Sequence, residues 1–159
     1  MRFHAMLAAM AIGVAALAAG SGSAAPPPTE TVDPAKLPFQ VTVPPGLRVE
    51  ELRGPDFLVF YFNQGDQTYA GAYLGFAPSY KGDRPKTHNG ISQLVRCENG
   101  RPVEREALFY IGDAGRDDYI HAWTAPVPGQ DISESESILL SIRVPGVNDG
   151  LTRDKLKAC

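Results

Sequence analysis

The chain has 159 residues, with 18 acidic against 15 basic side chains and a formal net charge of −3 at pH 7. This mildly acidic balance excludes nucleic acid as an expected partner, because binding to nucleic acid needs a clear excess of basic residues. The length indicates one domain built around a single hydrophobic core rather than two domains.

The N-terminal segment has the pattern of a secretory signal peptide. Arg2 precedes an unbroken apolar run over Ala5–Ala19, and small residues suited to a signal peptidase follow. Cleavage is expected after Ala24, with cleavage after Ala25 as the alternative. The run is shorter than the ~20 apolar residues that a membrane-spanning helix needs. We therefore predict a signal peptide over 1–24, a bacterial source, and a mature protein in the periplasm or the medium. No cysteine near the cut offers a site for a lipid anchor, and no membrane span is expected after cleavage.

Residues 25–36 are rich in proline and have almost no apolar periodicity. We expect an extended linker there, followed by a single folded domain over 37–159. Within the domain, apolar side chains that alternate with polar ones, and turn residues between the runs, predict an antiparallel sheet of about six to seven strands. The expected strands lie at 39–43, 47–52, 57–62, 68–76, 91–97, 103–111 and 118–124.

Three of these runs carry more specific predictions. The run 57–62 is apolar on both faces, which is typical of a strand inside a sheet that is covered on both sides. Asn-Gly at 99–100 is a strong signal for a hairpin. In the run 68–76, Ala70, Ala72, Leu74 and Phe76 form the expected core face. The opposite face carries Tyr69 and Tyr73 separated by glycines, which would leave a shallow groove between the tyrosines.

One helix is predicted after the last strand. Asp131 or Ser133 caps its start, apolar residues share one broad face, and the helix ends near Arg143 before a Pro-Gly pair. A short tail over 151–158, with room for one further helical turn, follows. The predicted fold class is therefore α+β, an antiparallel sheet with a C-terminal helix packed on one face.

The chain has two cysteines, Cys97 and Cys159, and both lie in the predicted mature protein. An exported protein meets an oxidising compartment, where an even number of cysteines usually pairs. We predict a disulfide between them that tethers the C-terminus to the rest of the domain.

The first group of binding candidates is aromatic. Tyr69 and Tyr73 lie on one predicted strand, and His121 and Trp123 lie on another, where they share a face with Tyr119. Such rings form a binding surface with a polar tip on each ring. The alternative for the face of His121 is burial beneath the helix.

The second group lies in the loop 78–90, which is too rich in proline and glycine to form a regular element. Lys81, Arg84, Lys86 and His88 make it a local cluster of positive charge on an otherwise acidic protein. Such a cluster suits an anionic ligand or partner. A solvated loop without a ligand is the alternative.

The sequence contains no recognisable catalytic, metal or cofactor motif. The mature histidines, His88 and His121, lack the spacing of zinc ligands, and the three carboxylates at 113–118 lack the pattern of a calcium-binding loop. No Gly-x-Ser-x-Gly turn and no phosphate-binding glycine-rich loop occurs. We therefore expect neither a metal nor a cofactor.

The order of elements resembles the Mog1/PsbP-like domains. The resemblance rests on strand, Pro-Pro-Gly and strand over 39–62, and on strand, strand and the helix ESESILLSIR over 106–144. It implies antiparallel sheet with flanking helices and an accessory, assembly or chaperone role without catalysis. This sequence departs from the family by lacking a long helix between the hairpins. No functional residue is carried over, because the family has no shared site motif.

Taken together, these patterns predict a non-enzymatic accessory module of the bacterial cell envelope that binds another envelope or secreted protein. The expected surface is the loop 78–90 with the polar edge of the Tyr69 and Tyr73 face. One alternative is a small hydrolase with a site around His121 and carboxylates from elsewhere in the chain. The other is a small-ligand-binding protein with a cavity between the sheet and the helix. The sequence leaves the oligomeric state open.

Overall fold

The computed structural model describes residues 29–112, 117–127 and 129–159. The predicted signal peptide, the first part of the predicted linker and residues 113–116, between the predicted strands 103–111 and 118–124, lie outside the described residues. The described chain forms seven strands and one α-helix. The strands are β1 (Glu30–Val32), β2 (Arg48–Arg53), β3 (Leu58–Gln64), β4 (Gln67–Gly75), β5 (Ile91–Glu98), β6 (Arg101–Tyr110) and β7 (Tyr119–Thr124), and the helix is α1 (Ser133–Ser141).

All seven strands belong to one antiparallel sheet with the order β1-β2-β3-β4-β7-β6-β5. The predicted hairpin between β5 and β6 is present, and its turn residues Asn99 and Gly100 adopt positive φ angles of 51° and 73°. Such angles match the turn to the twist of the two strands. The helix α1 packs on β4 and β7. The predicted fold class, an antiparallel sheet of about six to seven strands with a C-terminal helix on one face, is confirmed.

The main core lies between α1 and one face of the sheet. Ala72, Ala122 and Ala107 are direct cross-strand neighbours on β4, β7 and β6, and each is at most 1% exposed. These small side chains leave space for Ile138 and Leu139 of α1, which are equally buried. A close-packed interior needs such pairing of small with large residues. The expected core face of β4 is therefore confirmed at Ala70 and Ala72, whereas the prediction is wrong for Phe76, which lies beyond the end of the strand and is 46% exposed.

The N-terminal part of the domain differs from the prediction. Residues 39–43 do not join a strand ladder, and among the described residues Gln40 alone in this segment bridges to another chain segment, at Arg143. The alternation arises because Phe39 is 3% exposed and packs edge-on against Phe60. An alternating pattern reports which side chains are buried and does not specify a hydrogen-bonded neighbour. The strand β1, within the predicted linker, pairs with β2 instead, so the sheet begins before residue 37.

Asp131, one of the two predicted capping residues, binds the start of α1 from one position before the cap. Ile132 occupies the cap position, and the Asp131 carboxylate accepts the backbone N–H of Ser133 at 2.9 Å. The hydrogen bonds from the Ser133 hydroxyl and from its backbone lower the pKa of Asp131. The carboxylate thus satisfies one of the N–H groups that a helix start leaves unpaired.

The C-terminal tail is fastened to β5 by a covalent bond and by hydrogen bonds. Cys97 and Cys159 form the predicted disulfide, with 5.9 Å between their Cα atoms. One turn of 3₁₀-helix occupies Arg153–Lys155, in line with the predicted helical turn. The backbone N–H of Lys157 donates to the side-chain oxygen of Gln93 at 3.2 Å. The end of the chain is therefore held against the edge of the sheet.

Candidate functional site

The face of the sheet opposite α1 carries most of the aromatic candidates. Cross-strand pairing aligns Tyr61, Gly71 and Trp123 in one row across β3, β4 and β7. Tyr73 and His121 are direct neighbours in the next row. Side chains alternate between the two faces along a strand, so these residues point away from the buried alanines beneath α1. The sequence prediction that His121 and Trp123 share a face is confirmed.

Four rings form a surface that we call the aromatic face: Phe57, Tyr61, Tyr73 and Trp123. Phe57 stacks on Tyr73, with ring centroids 5.7 Å apart and an interplanar angle of 24°. All four residues are half-buried. Because α1 lies on the other side of the sheet, the rings remain partly open to solvent within the described chain.

The glycines of β4 hold these rings close to the backbone. A Cβ atom at Gly71 would lie 2.1 Å from a ring carbon of Trp123, and one at Gly75 would lie 2.6 Å from the hydroxyl oxygen of Tyr73. Any other residue at Gly71 would therefore displace the indole. The expected groove between tyrosines is absent at these positions, because the rings occupy the space above the glycines.

Tyr69 does not belong to the aromatic face. Its side chain is 7% exposed, forms part of the main core and donates its hydroxyl hydrogen to Gln64 Oε1 at 3.1 Å. A register shift between β3 and β4 at Phe62/Asn63 leaves Tyr69 without a direct partner on β3. Such a bulge interrupts the alternation of faces. The expectation that Tyr69 and Tyr73 share an accessible face is therefore wrong for Tyr69.

His121 is the centre of a buried polar cluster next to the aromatic face. It is 7% exposed, and its Nε2 lies 2.7 Å from Oε2 of Glu106 on β6. Tyr80, from the loop 78–90, packs edge-to-face on the imidazole with 5.4 Å between ring centroids. The Tyr80 hydroxyl donates to Ser92 Oγ at 2.9 Å. The loop covers His121, so the alternative of a face buried beneath the helix is wrong.

Burial has a clear effect on the titration of this cluster. It lowers the pKa of His121, because an imidazolium ion loses solvation in this site; the Glu106 carboxylate opposes the shift and the charge of Arg84 adds to it. The neutral imidazole is therefore favoured at neutral pH, and its Nε2–H then donates to Glu106. Burial also raises the pKa of Tyr80, so its hydroxyl stays protonated as a donor to Ser92.

The loop cations are exposed to solvent. Lys81, Lys86 and His88 are open to solvent, and Arg84 donates from Nη2 to the backbone carbonyl of Pro78 at 2.9 Å. Arg84 is close enough to His121 to affect the pKa of its imidazole. The structure thus places Arg84, one of the four predicted cations, beside the His121 cluster, and the other three are exposed on the loop.

A separate cleft of about 660 Å³ opens between the tip of the β5–β6 hairpin and the start of α1. Val103, Val127 and Ile132 form part of its wall, and Glu136 lies in its lining. Glu136 forms a buried ion pair with Arg105, at 2.8 Å between Oε1 and Nε. The size is in the range of pockets for small molecules. The Glu136 carboxylate is already neutralised by Arg105, so the cleft has no unpaired buried charge to orient a ligand.

The described residues contain no group of three or more His, Cys, Asp or Glu side chains that could hold a metal ion. Within the same residues, no helix has the length and apolar character that a membrane crossing requires. Comparison with protein-family models, with curated proteins and with solved structures gives no match to this chain. The resemblance to the Mog1/PsbP-like domains stays a prediction.

Sequence reasoning missed four residues of this region: Phe57, Tyr61, Tyr80 and Glu106. Tyr61 and Phe57 belong to a run whose apolar character on both faces indicated a doubly covered strand, whereas one face is only half-buried. Glu106 alternates with buried residues of β6, which is a signal for a polar group on the opposite face. Its pairing with His121 depends on the register between β6 and β7, which the sequence does not give.

Proposed function

We propose that this chain is an exported, non-enzymatic accessory module of the bacterial cell envelope that binds another envelope or secreted protein through the aromatic face. The observation that carries the proposal is the set of half-buried rings at Phe57, Tyr61, Tyr73 and Trp123 on the face opposite α1. Tyrosine, tryptophan and phenylalanine are enriched in protein interfaces, where they bury large area with few rotatable bonds.

The packing of these rings supports binding without large rearrangement. Trp123 rests on Gly71, and Tyr73 lies between Phe57 and Gly75. Rings held in this way lose little conformational freedom when a partner covers them, which lowers the entropic cost of association. The disulfide and the predicted leader support the proposed location, because disulfides persist in oxidising compartments outside the cytoplasm.

A second candidate is a small hydrolase or small-ligand-binding protein with a site around His121. The contact between His121 and Glu106 favours it, because a histidine oriented by a carboxylate is a common arrangement for general base catalysis. The imidazole is 7% exposed and Tyr80 packs against it, so a substrate would reach it only after the loop moves. Loss of a measured hydrolytic activity in His121→Ala, with the fold intact, is the test of this candidate.

The test of the binding proposal compares variants on and off the aromatic face. The full chain, tagged after Cys159, is used to capture partners from the envelope fraction of the cells that produce it. Tyr61→Ala and Trp123→Ala remove ring area from the face, and Phe76→Ala is the matched control, because Phe76 is a 46% exposed aromatic beyond the end of β4.

We expect each face variant to weaken capture of one stoichiometric partner about thirtyfold, since truncation of a central interface aromatic costs about 2 kcal/mol. The control should capture the partner like the unaltered chain. Thermal unfolding identifies any variant that fails to fold, and Tyr61→Ala remains informative if Trp123→Ala is unstable. Equal capture by all three variants would contradict the proposal.

A further inference from the structure

The loop 78–90 gathers in one segment three cations that form no ion pair with a described carboxylate; the other described cations of this kind lie at Lys36, Arg101, Arg143, Lys155 and Lys157. Outside the loop, five arginines form ion pairs with glutamates: Arg48, Arg53, Arg96, Arg105 and Arg153. Within the loop, Lys81, Arg84 and Lys86 have no ion pair with a described carboxylate, and Arg84 donates only to the carbonyl of Pro78. Three cations without carboxylate partners are thus gathered in one segment of an acidic protein.

Several contacts fix this loop against the sheet. Tyr80 is 5% exposed and packs against Leu108 and Tyr119 in a small second core. At the start of the loop the backbone N–H of Ala77 donates to the Tyr73 hydroxyl at 3.3 Å, and at its end the N–H of Asn89 donates to the Val147 carbonyl at 3.2 Å. The cations therefore stand on an anchored segment, which reduces the entropy lost when they are engaged.

The loop borders the aromatic face directly. Tyr73 belongs to the aromatic face and also accepts the hydrogen bond from Ala77. Arg84 lies near His121, which contacts Trp123 with 5.5 Å between ring centroids. On this side of the face, Glu106 is already engaged by His121. Lys81, Arg84 and Lys86 outnumber the one carboxylate of the loop, Asp83, so the loop next to the rings carries a net positive charge.

We propose that the aromatic face and the loop 78–90 together bind an acidic segment of the partner protein, whose carboxylates engage Lys81, Arg84 and Lys86 while its apolar side chains cover the rings. This inference rests on the proposed function and specifies the chemistry of the partner. The argument is charge complementarity. A chain with a net charge of −3 repels an acidic partner overall, so a local positive patch is needed to orient that partner and to speed its association.

The experiment replaces Tyr61 of the full tagged chain with an aromatic photo-crosslinking amino acid, which keeps a ring at that position, and irradiates the producing cells. Mass spectrometry then identifies the crosslinked segment. The loop variant is Lys81→Glu, Arg84→Glu and Lys86→Glu. The matched control variant reverses three exposed cations outside the loop and changes the net charge equally; its substitutions are Lys36→Glu, Arg101→Glu and Lys155→Glu.

We expect a crosslinked segment rich in Asp and Glu, and a crosslinking yield about tenfold lower in the loop variant, since reversal turns several weak attractions into repulsions. About 0.5 M NaCl should lower the yield similarly, because it screens exposed charges. The control variant should crosslink like the parent. If the triple variant is unstable, the double variant Lys81→Gln with Lys86→Gln replaces it. This double variant keeps the hydrogen bond from Arg84 to the Pro78 carbonyl, and it should also lower the crosslinking yield.

Three results would overturn the inference. The first is a crosslinked segment without an excess of acidic residues that the loop variant and the control variant capture equally. This result would overturn the acidic partner but leave the proposed binding function of the aromatic face intact. A crosslink that joins two copies of this chain would replace the acidic partner with a self-interface. The absence of any crosslinked protein would overturn both the inference and the proposed function.

Discussion

The buried ion pair between Arg105 and Glu136 is expected to contribute measurably to the stability of the fold. Their side chains are 4% and 10% exposed, and Arg105 also donates from Nη1 to the Lys157 carbonyl at 2.9 Å. Arg105→Met would leave the Glu136 carboxylate in the cleft with only Arg153, at 3.6 Å, as an ionic partner. It would also remove a link between β6 and the C-terminal tail.

The magnitude follows from burial. Removing one partner of a buried pair costs about 3–5 kcal/mol, because the remaining charge is desolvated without compensation. The exposed Arg153 offsets part of this cost, so we expect Arg105→Met to lower the free energy of unfolding by about 3 kcal/mol. The control is Arg48→Met, which breaks an exposed pair with Glu50 and should cost about 0–1 kcal/mol. The Arg48 side chain is 51% exposed.

Urea unfolding at neutral pH with the disulfide intact measures both variants. The double variant Arg105→Met with Glu136→Met should recover most of the stability lost by Arg105→Met, since no buried charge remains. A loss of less than about 1 kcal/mol in Arg105→Met would refute the reasoning, because the pair would then behave as an exposed one. Failure of the double variant to recover would show that packing of the arginine stem or its hydrogen bond to the Lys157 carbonyl, and not the charge left on Glu136, carries the effect.

Two further predictions concern the disulfide and pH. Cys97→Ser with Cys159→Ser removes a crosslink over a sequence separation of 62 residues, and we expect a loss of about 4 kcal/mol in urea unfolding; a loss below about 1 kcal/mol would contradict this. Burial lowers the pKa of His121 below its ordinary value of 6.5. The neutral imidazole therefore contributes stability that is fully present above the unfolded-state pKa. This stability is lost as the pH falls through the folded-state pKa. Between about pH 7 and pH 5 the urea midpoint should therefore fall further in the parent chain than in His121→Gln, and equal falls would exclude this role.

Local sequence patterns were enough to predict most elements of the sheet. The hairpin at Asn99-Gly100 depends on the φ angles that these two residues tolerate, and such information lies within a few residues of the turn. The helix α1 was predicted from its apolar spacing and its polar start. The segment 39–43 shows the limit of this reasoning, because its alternation reflects burial of Phe39 against Phe60 and not membership of the sheet.

The candidate site was predicted only in part. His121 and Trp123 share a face, as alternation along one strand requires. The sequence pattern places Tyr69 on an accessible face, but its side chain is buried because a bulge between β3 and β4, which the sequence does not indicate, changes its orientation. Glu106, the hydrogen-bond partner of His121, was not predicted, since the pairing crosses between two strands.

The sequence by itself determined the local elements, the α+β class and the two cysteines that form the disulfide. The tertiary structure alone decided that β4 and β7, which are distant in sequence, lie side by side, and that the loop 78–90 covers His121 while α1 covers the other face. The physical reason is that turns and periodicity depend on neighbouring residues, whereas strand order and the choice of face depend on how the whole core packs. The aromatic face exists because that packing brings Trp123 over Gly71.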